Sequence, residues 1–122
     1  MSSLSGNIAA RTLVTNHHSQ ATNSATTVVT PGANTNGIRI DRINFGDLGS
    51  GGTAAVMSKT SAPSGVNDTA ARILGRANAS ASTNAPAPAI SPEPFIVPPG
   101  EGLYLFASIA NSIYVSIDYE VL

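Results

Sequence analysis

The stretch that decides the fold is residues 94–122, PFIVPPGEGLYLFASIANSIYVSIDYEVL. From Ile113 to Val121 apolar and polar residues alternate with a period of two, which places one set on each face of a β-sheet. Residues 102–108 are apolar on both phases, as in a strand that is covered on both sides. Pro98-Pro99-Gly100 ends the preceding strand, because proline cannot donate a hydrogen bond to a neighbouring strand. The stretch predicts two long antiparallel strands in the core of a β-sandwich.

The composition of the chain limits the classes of protein to which it can belong. Its 122 residues suffice for one domain with a single hydrophobic core. The chain contains no cysteine, which excludes disulfide bonds and thiolate metal sites. Charged residues make up 11% of the chain, against about a quarter in a typical soluble domain. A surface built mainly from Ser, Thr, Asn and Ala favours a protein that stays packed against copies of itself or against a partner.

The charges are few and unevenly placed. The formal net charge of −1 argues against a nucleic-acid partner. No apolar run approaches the length needed to span a bilayer, and residues 1–7 lack a basic targeting signal, so we expect no membrane partner. We interpret the uneven charge as an indication of complementary contacts between subunits. All six basic residues lie within residues 11–76, and the acidic residues that follow are Glu93, Glu101, Asp118 and Glu120.

Shorter apolar runs, separated by Gly, Pro and Asn turns, fill the rest of the chain. No segment has a convincing helical period, so the sequence predicts an all-β fold, an antiparallel β-sandwich of jelly-roll-like arrangement. We divide the chain into residues 1–24, an N-terminal arm with the first strand, and residues 25–122, the β-sandwich domain. The predicted strands cover residues 8–15, 26–30, 37–45, 53–60, 94–97, 102–109 and 113–121.

Three segments are harder to interpret. Residues 16–23 contain no apolar residue except Ala21 and are predicted to form a loop. Within residues 37–45 the apolar phase shifts at Asp41-Arg42, which predicts a β-bulge or a strand that passes from one sheet to the other. Residues 69–77 fit a strand better than a short helix, because neighbouring Gly and Pro residues leave room for only two helical turns.

The residues that could carry catalysis or bind a metal form no recognisable site. His17-His18 is the only histidine pair, and no third ligand accompanies it. Arg39 and Asp41 share the outward phase of one strand and are expected to pair with each other. The chain contains neither a phosphate-binding loop nor a serine-nucleophile motif. We therefore expect a protein that is not an enzyme and that needs no metal and no cofactor.

The order of three motifs carries a resemblance. GIRIDRINF at residues 37–45 precedes an Ala/Ser/Thr/Pro-rich middle, IVPPGEGLYLFAS at residues 96–108 follows, and IYVSIDYE at residues 113–120 closes the chain. Over residues 25–122 this order resembles small virion structural proteins of tailed bacteriophages, most closely capsid decoration (cement) proteins. The most specific element is P-P-G-x-G-L-Y at residues 98–104. The resemblance implies a trimeric β-sandwich that is made in the host cytoplasm and sits on the capsid surface of the virion. It would clamp subunits of the major capsid protein against the pressure of the internal DNA.

Low charge and open sheet edges also favour a homo-oligomer over a monomer. We predict a subunit interface at Tyr104, Phe106 and Tyr114. Contact with the capsid is predicted along the arm, at Leu4, Ile8, Arg11 and Leu13. One alternative is a tail, fibre or receptor-binding β-sandwich module of a phage virion, and another is a small enzyme or a lectin-like sugar binder.

Overall fold

The computed structural model describes residues 15–47, 51–79, 94–110 and 113–122. Within these residues the secondary structure comprises eight strands and one turn of 3-10 helix at Pro31–Ala33. The strands are β1 (Thr15–Gln20), β2 (Thr26–Val29), β3 (Ile38–Asp47), β4 (Gly52–Lys59), β5 (Arg72–Ala79), β6 (Phe95–Val97), β7 (Gly102–Ala107) and β8 (Ile113–Val121).

The eight strands form two antiparallel sheets of four strands each. The order is β1-β8-β3-β6 in the first sheet, sheet A, and β2-β7-β4-β5 in the second, sheet B. The first strand pairs with the last, the second with the seventh, the third with the sixth and the fourth with the fifth. A chain folded into one long hairpin and then rolled up gives this order, which is that of a jelly roll. The prediction of an all-β, antiparallel, jelly-roll-like β-sandwich is confirmed.

The core lies between the inner faces of the sheets and depends on a bulge in β3. Ile40 lies opposite Tyr119 of β8, but Arg42 lies opposite Asp118, so Asp41 is one extra residue in the strand. Because of the extra residue, the apolar side chains after the bulge point to the core like those before it. The predicted bulge is therefore confirmed, and β3 stays in sheet A. The apolar residues of β3 on both sides of the bulge, at most 6% exposed, are Ile38, Ile40, Ile43 and Phe45.

The prediction of a loop over residues 16–23 was wrong, because Thr15–Gln20 forms the edge strand β1. This strand has no apolar residue, so its sequence lacks the pattern by which strands are predicted. Its register with β8 runs from Thr15 opposite Tyr119 to Gln20 opposite Tyr114. The fully buried Ala21 follows it, and its backbone N–H donates to the Ile113 carbonyl at 2.8 Å. Of the strand predicted over residues 8–15, only Thr15 falls within the described residues.

The strand preferred for residues 69–77 is confirmed over Arg72–Ala79, which forms β5 at one edge of sheet B. Its register with β4 contains a bulge: Ile73 lies opposite Met57 and Gly75 opposite Val56, so Leu74 is the extra residue. Leu74 packs against the core. The bulge breaks the alternation of the strand, which explains why the periodicity of this segment is weak.

A buried asparagine joins the turn before β3 to the turn before β7. Pro98-Pro99-Gly100-Glu101 forms a turn with Pro99 at its second position and Gly100 at φ 85° at its third, as type II turns require. Asn34 is 2% exposed, and its Nδ2 donates to the carbonyl oxygens of Pro98 and Glu101, both at 2.8 Å. Its Oδ1 accepts from the Gly37 N–H at 2.7 Å. One side chain thus fixes two loops at the same end of the sandwich.

Candidate interaction surfaces

Along β1 and β8 the outer face of sheet A is polar, and its side chains form hydrogen bonds with one another. Asn16 on β1 donates through Nδ2 to the Asp118 carboxylate at 2.5 Å and to the Ser116 hydroxyl at 3.1 Å. His18 forms a hydrogen bond with the Tyr114 hydroxyl, and the centroids of the two rings lie 5.8 Å apart. These contacts fasten the edge strand β1 to β8.

The two adjacent histidines point to opposite faces of β1. His17 lies opposite the fully buried Ile117, and its Nε2 is 3.1 Å from the Ser19 hydroxyl. Partial burial and, second, the neighbouring His18 lower the pKa of His17 below its ordinary value, which keeps this ring neutral at pH 7. Within the part of the chain that the structure describes, no three His, Asp or Glu residues lie close enough together to hold a metal ion.

Ion pairs join the basic first part of the chain to its acidic last part. Arg39 contacts Asp41 at 2.9 Å, as predicted, and also Glu120 at 2.8 Å. Arg72 contacts Glu101 at 3.2 Å. The uneven charge of the sequence therefore has an explanation inside one subunit, because residues distant in the chain neutralise each other within each sheet.

Glu101 also contacts a buried hydroxyl. Ser58 on β4 is fully buried, and its Oγ donates to Glu101 Oε1 at 2.8 Å. The hydrogen bond from Arg72 lowers the pKa of Glu101, partial burial opposes this effect, and the Ser58 hydrogen bond adds to the lowering. Glu101 is therefore ionised at neutral pH and satisfies a hydroxyl that would otherwise be buried without a partner.

A single carboxylate organises the loop between β4 and β5, residues 60–71. Asp68 accepts hydrogen bonds from Lys59 Nζ at 2.8 Å, from the Ser64 backbone N–H at 3.0 Å and from the Ala70 backbone N–H at 2.9 Å. The Lys59 hydrogen bond, followed by the two backbone hydrogen bonds, holds the pKa of Asp68 far below its ordinary value. Three donors on one carboxylate thus fix the shape of the loop.

We expect Asp68→Asn to loosen this loop, because an amide can neither pair with Lys59 nor accept three hydrogen bonds equally well. In the unmodified protein the carboxylate stabilises the loop fully above the unfolded-state pKa of 3.8, and the stabilisation decreases as the pH falls below it. Amide NMR signals of Ser64 and Ala70 should shift on acidification and should already be displaced at pH 7 in the variant. Asp118→Asn on the opposite sheet is the control, and identical Ser64 and Ala70 signals in both variants would contradict the assignment.

The loop and β5 enclose a depression on the described surface. Ile73 and Arg76 are three residues apart in β5. Because of the bulge they lie opposite Met57 and Ala55 of β4, and these two residues are both on the outer face of sheet B. The depression has a volume of about 430 Å³ and is open to solvent. On its loop side Asn67 accepts a hydrogen bond through Oδ1 from Arg76 Nη2 at 3.0 Å. It therefore combines an apolar floor with a cation that the loop holds in place.

The structure does not bring the predicted interface residues together. Tyr104 and Phe106 lie on the outer phase of β7 in sheet B, whereas Tyr114 lies on the outer face of sheet A. Tyr104 is 3% exposed, and Phe106 and Tyr114 are half-buried. An interface at these residues stays a prediction. The predicted arm contacts lie outside the described residues, and they are Leu4, Ile8, Arg11 and Leu13.

The sequence pattern does not predict that Ile73 and Arg76 lie on the same face of β5. Regular strand alternation places residues three apart on opposite faces. The one available signal was the adjacency of Leu74 and Gly75, because an isolated glycine inside a strand often marks a bulge.

No known protein family and no curated protein matches the chain. Among solved structures, the chain is similar to a pentameric capsid protein isolated from metagenomic phage sequences, with a TM-score of 0.47 and 17% sequence identity. The similarity covers 87% of this chain and 60% of the capsid protein's chain. No helix of the described residues is long and apolar enough to cross a membrane.

Proposed function

We propose that the protein is a non-enzymatic structural protein of a phage virion, which decorates and stabilises the capsid shell as a homo-oligomer. The observation that carries the proposal is the scarcity of charge on a small jelly roll, combined with the use of that charge inside the subunit. Four ion pairs take up Arg39, Asp41, Glu120, Lys59, Asp68, Arg72 and Glu101. Few charged side chains of the described surface remain outside these pairs, and such a surface loses little hydration of charge in a permanent contact, since charged residues are depleted from interface cores.

The sheet edges support an oligomer. Among the described residues, β1 and β6 end sheet A, β2 and β5 end sheet B, and each of these strands has a neighbour on one side only. Open edges present unpaired backbone groups, which proteins cover or pair. A trimer, as the resemblance implies, would cover edges by contact between subunits, and Phe106 and Tyr114 would contribute more contact area than the buried Tyr104. The major capsid protein is the proposed partner on the shell.

Counting the copies of the protein in purified particles tests this role. We expect quantitative mass spectrometry to give a number of copies in proportion to the number of capsid subunits, and electron microscopy to locate them on the shell. A few copies, confined to one vertex, would contradict the proposal and support a tail or fibre module. Complete absence from particles would exclude both virion roles.

A further inference from the structure

Arg76 has no opposite charge to neutralise it in the part of the chain that the structure describes. Its guanidinium is exposed and donates to the Asn67 amide, and it forms no ion pair there. The nearest part of the loop contains the Asp68 carboxylate, but Lys59 and two backbone N–H groups already occupy that carboxylate. Asp68 also lines the depression, but its charge is paired with Lys59, so Arg76, Lys59 and Asp68 together leave one positive charge without a partner.

The hydrogen-bonding groups at the rim are donors that an acceptor can reach. Because the Asn67 Oδ1 accepts from Arg76, the amide nitrogen of Asn67 remains as a donor beside the guanidinium. Thr69 adds a hydroxyl to the lining. A planar anion can bond to an arginine fork through two oxygens at once.

The floor of the depression is apolar. Ile73 is 42% exposed although it lies within a strand, and Val66 and Ala71 line the depression beside it. An exposed apolar side chain of this size suits contact with a short aliphatic stem. The volume of about 430 Å³ accommodates a single amino-acid side chain with part of its backbone.

We propose that this depression binds the side chain of an acidic residue, glutamate in the first place, on a partner protein chain. A carboxylate has the single charge that Arg76 can neutralise, whereas a phosphate dianion would bring a second negative charge close to Asp68. The two methylene groups of glutamate would lie on Ile73. This inference depends on the geometry of the depression and not on the proposed virion role.

Titration of the isotope-labelled protein with N-acetyl-glutamate amide, followed by amide NMR, tests the proposal. A single residue should bind with a Kd in the millimolar range, because so small a ligand makes few contacts. We expect saturable shifts at Asn67, Ala71 and Ile73, and none with the isosteric N-acetyl-glutamine amide. Raising the salt concentration should weaken the binding.

Two variants and a second probe make the result decisive. Arg76→Gln should weaken binding about tenfold or more, whereas Arg42→Gln, which removes an exposed arginine of sheet A, should leave it unchanged. Equal shifts with the glutamate and glutamine probes, or equal binding by both variants, would overturn the site. Acetate binding as tightly as the glutamate probe would show a site for free carboxylates and would overturn the assignment to a protein side chain.

Discussion

Replacing Asn34 with leucine is expected to lower the free energy of unfolding by about 3–5 kcal/mol, a large part of the 5–15 kcal/mol typical of a domain. Leucine has nearly the same size, so the change removes hydrogen bonds without leaving a large cavity. It removes the side-chain hydrogen bonds to the carbonyl oxygens of Pro98 and Glu101 and from the Gly37 N–H. The Pro98 carbonyl keeps only the turn hydrogen bond from the Glu101 N–H, at 3.4 Å. Each polar group that stays buried without a partner costs about 1–3 kcal/mol. Urea denaturation followed by circular dichroism measures the difference.

Asn34→Asp distinguishes the hydrogen bonds that the Asn34 side chain donates from the one that it accepts. Aspartate keeps the acceptor for the Gly37 N–H but presents carboxylate oxygens to two carbonyl oxygens that need a donor. We expect a loss at neutral pH at least as large as that of Asn34→Leu. Since the buried carboxyl group would have a raised pKa, the loss should become smaller as the pH falls and the group is protonated.

Asn36→Ala is the matched control, because Asn36 is an exposed neighbour with one side-chain hydrogen bond, to the Leu122 carbonyl at 3.4 Å. It should change the free energy of unfolding by less than about 1 kcal/mol. Equal effects of the Asn34 and Asn36 substitutions would show that the loops are held together by other contacts.

The sequence predicted best the strands that have one face buried in the core and the other in contact with solvent. In β8 each residue from Ile113 to Glu120 follows this rule, so the period of two identifies the strand directly. The sequence also predicted the phase shift of β3 at Asp41, because alternating apolar residues lie on both sides of Asp41. Local pattern sufficed wherever the core itself imposed the pattern.

Other elements could not be predicted because distant residues determine them. The strand β1 consists of polar residues and exists because β8 offers a free edge to pair with. Ile73 and Arg76 lie on the same face because of a bulge, and this bulge is visible only in the register of β5 with β4. A pattern in one segment contains no information about the partner that completes it, so the candidate site on sheet B emerged only from the structure.

The motif at residues 98–104 is specific for a reason of folding. Its second proline and its first glycine form the type II turn, and the carbonyl groups of Pro98 and Glu101 bind Asn34. Its second glycine, Gly102, begins β7 beside Val29, the last residue of β2. The motif therefore indicates a way of closing one end of a jelly roll, and a role on a capsid has to be tested by other means.

Gly102→Ala is accordingly expected to lower the free energy of unfolding by about 2–3 kcal/mol, the cost of overpacking a closely packed position. An added Cβ would lie 2.8 Å from the Val29 carbonyl oxygen, 2.8 Å from Tyr104 Cε2 and 2.9 Å from Pro31 Cδ. The Tyr104 ring is itself buried, and the Val29 carbonyl belongs to the backbone of β2. Relief of this contact requires β2 to move from β7, with which it forms its ladder. Thermal unfolding followed by circular dichroism would detect the loss.

Gly32→Ala provides the comparison, because an added Cβ at Gly32 meets nothing within 4 Å. Gly32 lies beside Pro31 in the 3-10 turn and loses the same backbone freedom on substitution. Its replacement should leave the stability unchanged or raise it by up to about 1 kcal/mol, through reduced entropy of the unfolded chain. The contrast between the two glycines separates the steric effect from the entropic one. If Gly102→Ala were as stable as Gly32→Ala, β2 would have room to move, and the close approach of β2 to β7 would not be what requires a glycine at this position.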